Sequence, residues 1–133
     1  MPLLLDAGVW VAAATPRERY HHAAESLVES GQALAALDLT LFEVANVLGA
    51  RRREPRWARA MCDVIVSRCK KDRLVRVGPD LIERAVDIAA EHDLTVYDAA
   101  YVAVAKSNGW TLVSTDITAL VSKGLAVAPD AAV

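Results

Sequence analysis

Residues 94–116 read LTVYDAAYVAVAKSNGWTLVSTD. Thr95 stands three residues before Asp98, an alanine-rich run from Tyr97 follows, and Gly109 closes it as a helix end. The apolar run WTLVST is then a strand, and it stops on Asp116. A helix feeding a strand that ends on an acid is half of an α/β unit. The N-terminus, MPLLLDAGVW, ends in the same way: PLLLD is a short apolar strand stopped by Asp6, and residues 8–14 form a helix halted by Thr15-Pro16.

Between these ends, strands and helices alternate. YHHAAESLVES is a helix closing at Gly31, and ALAALDL is strand-like, although its alanines and leucines also suit a helix. TLFEVANVLGARRR and PRWARAMCDVIVSRCKKD are helices, LVRVG is a strand, and DLIERAVDIAAEHD is an amphipathic helix. After Asp116, ITALVSKG reads as a short helix, LAVA as a final strand and PDAAV as a loose tail. Strands joined by helical crossovers specify an α/β fold, a mainly parallel sheet with helices on both faces.

The 133 residues fit one domain, expected to span 1–133. With 54% apolar and 24% charged residues, the chain is a folded one and not a disordered tail. It holds no apolar run of about 20 residues to span a bilayer and no basic-flanked leader, so a cytoplasmic location and no membrane partner are expected. Cys62 and Cys69, seven apart on one helix face, are about 10 Å apart along the axis, too far for a disulfide, and read as small buried hydrophobes.

Net charge is −2, yet residues 51–76 hold ten arginines and lysines against three acids. Such a stretch is either a solvated helix face or a footprint for a phosphate backbone, with Arg51, Arg52, Arg53 and Arg56 as its densest part. Trp57 lies within it, where an RNA or a partner helix can pack, whereas Trp10 and Trp110 read as core or interface. His21 and His22 are adjacent, point about 100° apart on a helix and are expected not to chelate one ion together. Tyr97 and Tyr101 share a helix face and read as core.

Four acids occupy one kind of place. Asp6 and Asp116 end strands, while Glu43 and Asp98 follow Thr40 and Thr95 by three residues, as in a capping box. Each alone is satisfied as a helix cap, where the helix dipole favours an acid. Together they differ, because in a parallel sheet the strands end, and the following helices begin, along one edge, where ligands bind. Two carboxylates about 5 Å apart at an effective dielectric near 20 repel by roughly 3 kcal/mol, so a cluster calls for a cation or altered protonation. An all-oxygen site suits Mg²⁺, or Mn²⁺, ions that stabilise phosphoryl oxygens and activate water.

Through LLLDAGVWV, FEVANVL and LTVYDAAYVAVAKSNGWTLVSTD, nearly the whole chain resembles the PIN-domain ribonucleases, and within them the VapC-type toxins of type II toxin–antitoxin systems. The resemblance implies a three-layer α/β/α sandwich and Mg²⁺-dependent endonucleolytic cleavage of RNA, a tRNA or rRNA, leaving a 5′-phosphate. It implies Asp6, Glu43, Asp98 and Asp116 as the catalytic and metal-holding quartet, Asp6 and Asp98 most directly. Thr115 matches a supporting hydroxyl position, and Asn46, three residues after Glu43, is placed either to orient it or to serve as an ordinary surface or core polar residue. The implied partners are a cognate VapB-like antitoxin covering the acidic pocket and a second copy of the chain.

One position departs from the family pattern. Gly8 stands where Ser, Thr or Asn is usual, two residues after the first aspartate. A lost hydroxyl removes a hydrogen bond worth about 0.5–1.5 kcal/mol, leaves space for water, and makes Gly8→Ser the substitution to test for restored activity. The second reading is therefore a catalytically weakened PIN-like domain serving as a binding or regulatory module. Gly8 also argues against a haloacid-dehalogenase-type phosphatase, which needs an aspartate there, and no late lysine supports a receiver domain.

Overall fold

The computed structural model describes residues 1–133. Its sheet follows from the period-two geometry of extended chain. In β1 (Leu3–Leu5), Leu3 and Leu5 enter one apolar core while Leu4 enters the other. β2 (Leu34–Leu37) does the same, sending Leu34 and Ala36 one way and Ala35 and Leu37 the other. β3 (Leu74–Val75) and β4 (Thr111–Val113) complete a parallel four-stranded sheet of order β3-β2-β1-β4.

Helices cover both faces. One layer holds α1 (Ala7–Ala13), α2 (His21–Glu29), α3 (Asp38–Ala45) and α4 (Pro55–Arg73), which pack Trp10, Leu27, Val44 and Ile65 against the sheet. The other holds α5 (Pro79–His92) and α6 (Val96–Asn108), burying Leu81, Ala85 and every residue from Ala99 to Ala105. This is the three-layer α/β/α sandwich expected from the sequence. Fully burying one Leu or Val side chain contributes roughly 1.5–3 kcal/mol, so these faces fix the strand register.

Several boundaries differ from the sequence reading. The helix expected from Thr40 begins at Asp38 and gives way to a π-helical turn over Asn46–Arg51, which a search for a 3.6-residue period does not reveal. The strand LVRVG shortens to two residues, and LAVA contributes only a single parallel bridge, Val113 to Val127, before Pro129 ends the pairing. PDAAV is not loose: Pro129–Ala132 forms α7, with Pro129 buried. Cys69 is buried and Cys62 half-buried, both free, and burial pushes the Cys69 thiol up to about 12. No helix is long and apolar enough to cross a membrane.

The strand order sets the position of the site. The chain runs outward from β1 through β2 to β3, then returns to place β4 on the other side of β1. Strand order therefore reverses between β1 and β4, and ligands bind in α/β sheets beyond the strand ends at such a reversal. Leu5 pairs with Val113, so the chain segments leaving both strands, with Asp6 and Asp116, emerge side by side.

Candidate active site

Asp6 follows β1 directly and is 8% exposed. Its backbone N–H donates to the Val113 carbonyl at 3.1 Å, extending the β1–β4 ladder, and its Oδ1 accepts the Val9 N–H at 3.2 Å, capping α1. The fully buried Ser114 hydroxyl faces the same carboxylate and accepts the Asp116 N–H at 3.0 Å. Asp116 is exposed and caps the π-helical turn Ile117–Val121 through the Ala119 N–H at 2.9 Å. Ser114 thus ties the two strand-end acids together, a role the sequence reading missed. The serine that precedes Thr-Asp at the end of β4 was its only sequence signal.

Gly8 has a specific reason to be glycine. A Cβ built there would lie well inside van der Waals contact with the Thr115 hydroxyl and 3.4 Å from Asp6 Oδ1. The space is therefore not open to water, as the sequence reading supposed. Thr115 Oγ1 already fills it, so a hydroxyl stands beside Asp6 from the neighbouring loop.

Glu43 and Asp98 come from the facing helices. Thr95 caps α6 and accepts the Asp98 N–H at 3.1 Å, as the capping pattern suggested. The Thr40–Glu43 pair behaves differently. Because α3 starts at Asp38, Thr40 sits in its first turn and accepts the Leu37 N–H at 3.0 Å, and Glu43 lies in the second turn. The Tyr101 hydroxyl donates to Glu43 Oε1 at 2.7 Å and lies 2.7 Å from Thr40 Oγ1. A phenol has one proton, so Thr40 must donate to Tyr101. A directional chain results, from the Leu37 N–H through Thr40 and Tyr101 to Glu43. Tyr101 is 1% exposed, and its place one helical turn after Asp98 was the clue that it shares the face of α6 bearing that acid.

Three of the four acids are raised, each in part by an acidic neighbour. Asp6 is raised to about 7, first by burial and then by the charges of Asp98 and Glu43, against the lowering bonds from Ser114 and Val9. Glu43 is raised by burial and by Asp98, with the Tyr101 bond opposing, and Asp98 is raised by burial and by Asp116. Asp38 makes the contrast. It too follows a strand, yet its carboxylate is consumed by the N–H groups of Leu39 at 2.8 Å and Val77 at 3.1 Å.

The remaining sequence candidates fall elsewhere. Asn46 is exposed and lines a shallow groove with Glu43, Phe42 and Tyr97, but the bond to Glu43 comes from Tyr101 instead. Arg52 is engaged, donating to Thr15 Oγ1 at 2.7 Å and pairing with Glu18 at 3.3 Å, whereas Arg51, Arg53 and Arg56 are exposed. Trp10 is buried and Trp57 is 55% exposed. His21, His22 and Glu25 bring their ligand atoms within 4.8 Å of one another, closer than the sequence reading allowed for the two histidines, and tighter than any three of the four acids. His21 Nδ1 lies 2.8 Å from the Ala12 carbonyl and therefore donates to it, pinning α2 to the end of α1.

Residues 3–119 match the PIN domain family model. The chain is 38% identical over 120 residues to "Ribonuclease VapC3" of Pyrobaculum aerophilum, covering 87% of this chain and 90% of that one. It is 31% identical over 113 residues to "Exonuclease VapC9" of the same organism, covering 85% and 79%. A solved toxin–antitoxin complex from Klebsiella pneumoniae shares the fold, with a TM-score of 0.72, 19% identity, and coverage of 96% of this chain and 97% of that one.

Proposed function

The chain belongs to the PIN-domain family, in its VapC branch, and on that premise we propose that it is a divalent-metal-dependent endoribonuclease, the toxin of a type II toxin–antitoxin pair, with residues 1–133 acting as one unit. The observation that carries the reading is the emergence of Asp6 and Asp116 where strand order reverses, with Asp6, Glu43 and Asp98 each raised by burial and by a neighbouring acid. A buried carboxylate held near 7 beside other acids is stabilised by a neighbouring cation. The donors are all oxygen, which fits a hard ion such as Mg²⁺ or Mn²⁺.

In this reading Asp6 and Asp98 would hold the ion, with Asp116 and Glu43 assisting. When bound, the ion supplies electrostatic stabilisation of the phosphoryl oxygens and lowers the pKa of water. The protein's own contribution is positional. Ser114 and the Val9 N–H fix the Asp6 carboxylate, and the Thr115 hydroxyl stands beside it. Glu43 Oε1 is engaged by Tyr101, leaving Oε2 to accept the proton from the attacking water. Its raised pKa suits that role.

Two predictions follow from these carboxylates. Protons compete with the ion at Asp6, so Mn²⁺ affinity measured calorimetrically should rise about tenfold per pH unit below pH 7 and level off above it. A flat profile from pH 5.5 to 8 would contradict Asp6 as a ligand. Tyr101→Phe removes the donor that opposes the upward shift of Glu43. It should lower kcat at pH 7 by about tenfold, with partial recovery at higher pH as Glu43 ionises. Loss independent of pH would reduce Tyr101 to a packing role.

The partner reading rests on the surface beside the site. Phe42 and Tyr97 are 76% and 62% exposed, and a cavity of about 570 Å³ between α5 and α6 is lined by Leu39, Ile82, Val96 and other apolar residues. Contiguous apolar surface of this kind fits an antitoxin segment laid across the carboxylates, or a second copy of the chain. The Klebsiella protein that shares this fold was solved as a toxin–antitoxin complex, which supports an antitoxin as the partner. The function is tested by mapping 5′-phosphate RNA ends after induction in cells, beside Asp98→Asn. New ends with the unaltered chain alone are expected, and the same ends in both samples would contradict the reading.

A further inference from the structure

The groove beside Gly8 is not used by the metal-holding residues. It has a volume of about 320 Å³ and is lined by Gly8, Val11 and Ala12 on α1, by Glu18, Arg19 and Tyr20 in the loop that follows, and by Thr115 and Ile117. Gly8 to Ala12 is one turn of helix, about 6 Å, roughly one step along an extended nucleic-acid strand. Gly8 brings the groove close to Asp6, since a Cβ there would lie 3.4 Å from its carboxylate. Elsewhere in the lining, the Arg19 guanidinium lies 5.1 Å from the Tyr20 ring centroid.

We infer that this groove takes the nucleotide adjoining the scissile phosphate, with its base against the Tyr20–Arg19 pair. The inference rests on the ribonuclease reading. An aromatic ring beside a guanidinium offers the flat, sequence-tolerant surface on which unpaired bases stack, and Arg17 and Arg19 supply charge for the backbone. Glu18 is the one acid in the loop, and its charge is answered by Arg52 at 3.3 Å. Arg52 also donates to the buried Thr15 hydroxyl, so it holds the loop at two points.

The test begins with binding. A fluorescein-labelled, mixed-sequence oligoribonucleotide of about twenty nucleotides is titrated by anisotropy with Asp98→Asn protein, alone and combined with Tyr20→Ala, Tyr20→Phe or Arg19→Ala. Tyr20→Ala should weaken binding about tenfold and Tyr20→Phe about twofold or less. In cleavage by the otherwise unaltered chain, Tyr20→Ala should raise KM about tenfold and leave kcat within about threefold. An abasic scan of the oligonucleotide supplies a control that needs no folded variant. One position beside the cut should cost about tenfold with the unaltered chain and nothing further with Tyr20→Ala, the non-additivity expected of a direct contact. No sensitive abasic position, or wild-type binding by a folded Tyr20→Ala protein, overturns the inference. Binding that shows the Tyr20 dependence without any cleavage would instead overturn the ribonuclease reading and leave the groove assigned.

Discussion

Asp6→Asn is expected to abolish RNA cleavage, by on the order of a thousandfold, while making the metal-free protein more stable above pH 7. The loss follows from removing a direct ligand. The gain follows from the pKa of Asp6, raised from 3.8 to about 7 on folding. A carboxyl whose pKa is higher in the folded state binds more protons there than in the unfolded chain, so its contribution to stability falls as pH rises from about 4 to 7. Above that window the buried charge opposes folding by on the order of a few kcal/mol, which Asn, of similar shape and neutral, does not. Asn Oδ1 can still accept the Val9 N–H. Thermal unfolding in EDTA at pH 8 should show Tm raised by roughly 5 °C or more, a difference that vanishes near pH 4. Equal Tm values at pH 8 would show that Asp6 is not an electrostatic load on the fold.

The second large effect reverses the expectation drawn from the sequence. Gly8→Ser does not restore a missing hydroxyl; its Cβ would collide with Thr115 Oγ1. Over-packing of this kind costs about 1–3 kcal/mol and here forces the Thr115 hydroxyl out of its place beside Asp6, so cleavage should fall by about ten- to a hundredfold. Combining Gly8→Ser with Thr115→Ala moves the hydroxyl from one loop to the other. The double variant should recover to within a few-fold of Thr115→Ala alone, a non-additive pattern reserved for residues in contact. Additive losses in stability and activity would mean that the two positions do not share one site.

Asp6 and Asp116 were legible because an apolar run ending on an acid marks a strand end, and parallel strands end on one side. The same logic leaves Asp38 ambiguous: it too ends a strand, and only its bonds to Leu39 and Val77 show that its charge is spent on the backbone. Glu43 was found for an incomplete reason. The Thr-x-x-Glu pattern suggested a helix start, but Asp38 starts the helix, and Thr40 serves the chain of hydroxyls that ends on Glu43. Tyr101 reads as core because it is core; its hydroxyl direction depends on a contact with a residue 58 positions away. The π-helical turns and the single-bridge remnant of LAVA depend on tertiary packing, not on a local period. Arg52 was placed in a basic footprint by proximity in sequence, whereas its partners, Thr15 and Glu18, lie more than thirty positions away.

The most direct measurement of the central claim uses purified protein stripped with EDTA and an RNA substrate. Readdition of Mg²⁺ should produce internal cuts bearing 5′-phosphate ends, while Asp98→Asn protein under the same conditions leaves the RNA intact. Cleavage that persists in EDTA, or that Asp98→Asn performs as well as the unaltered chain, would contradict a metal-dependent ribonuclease built on these four carboxylates.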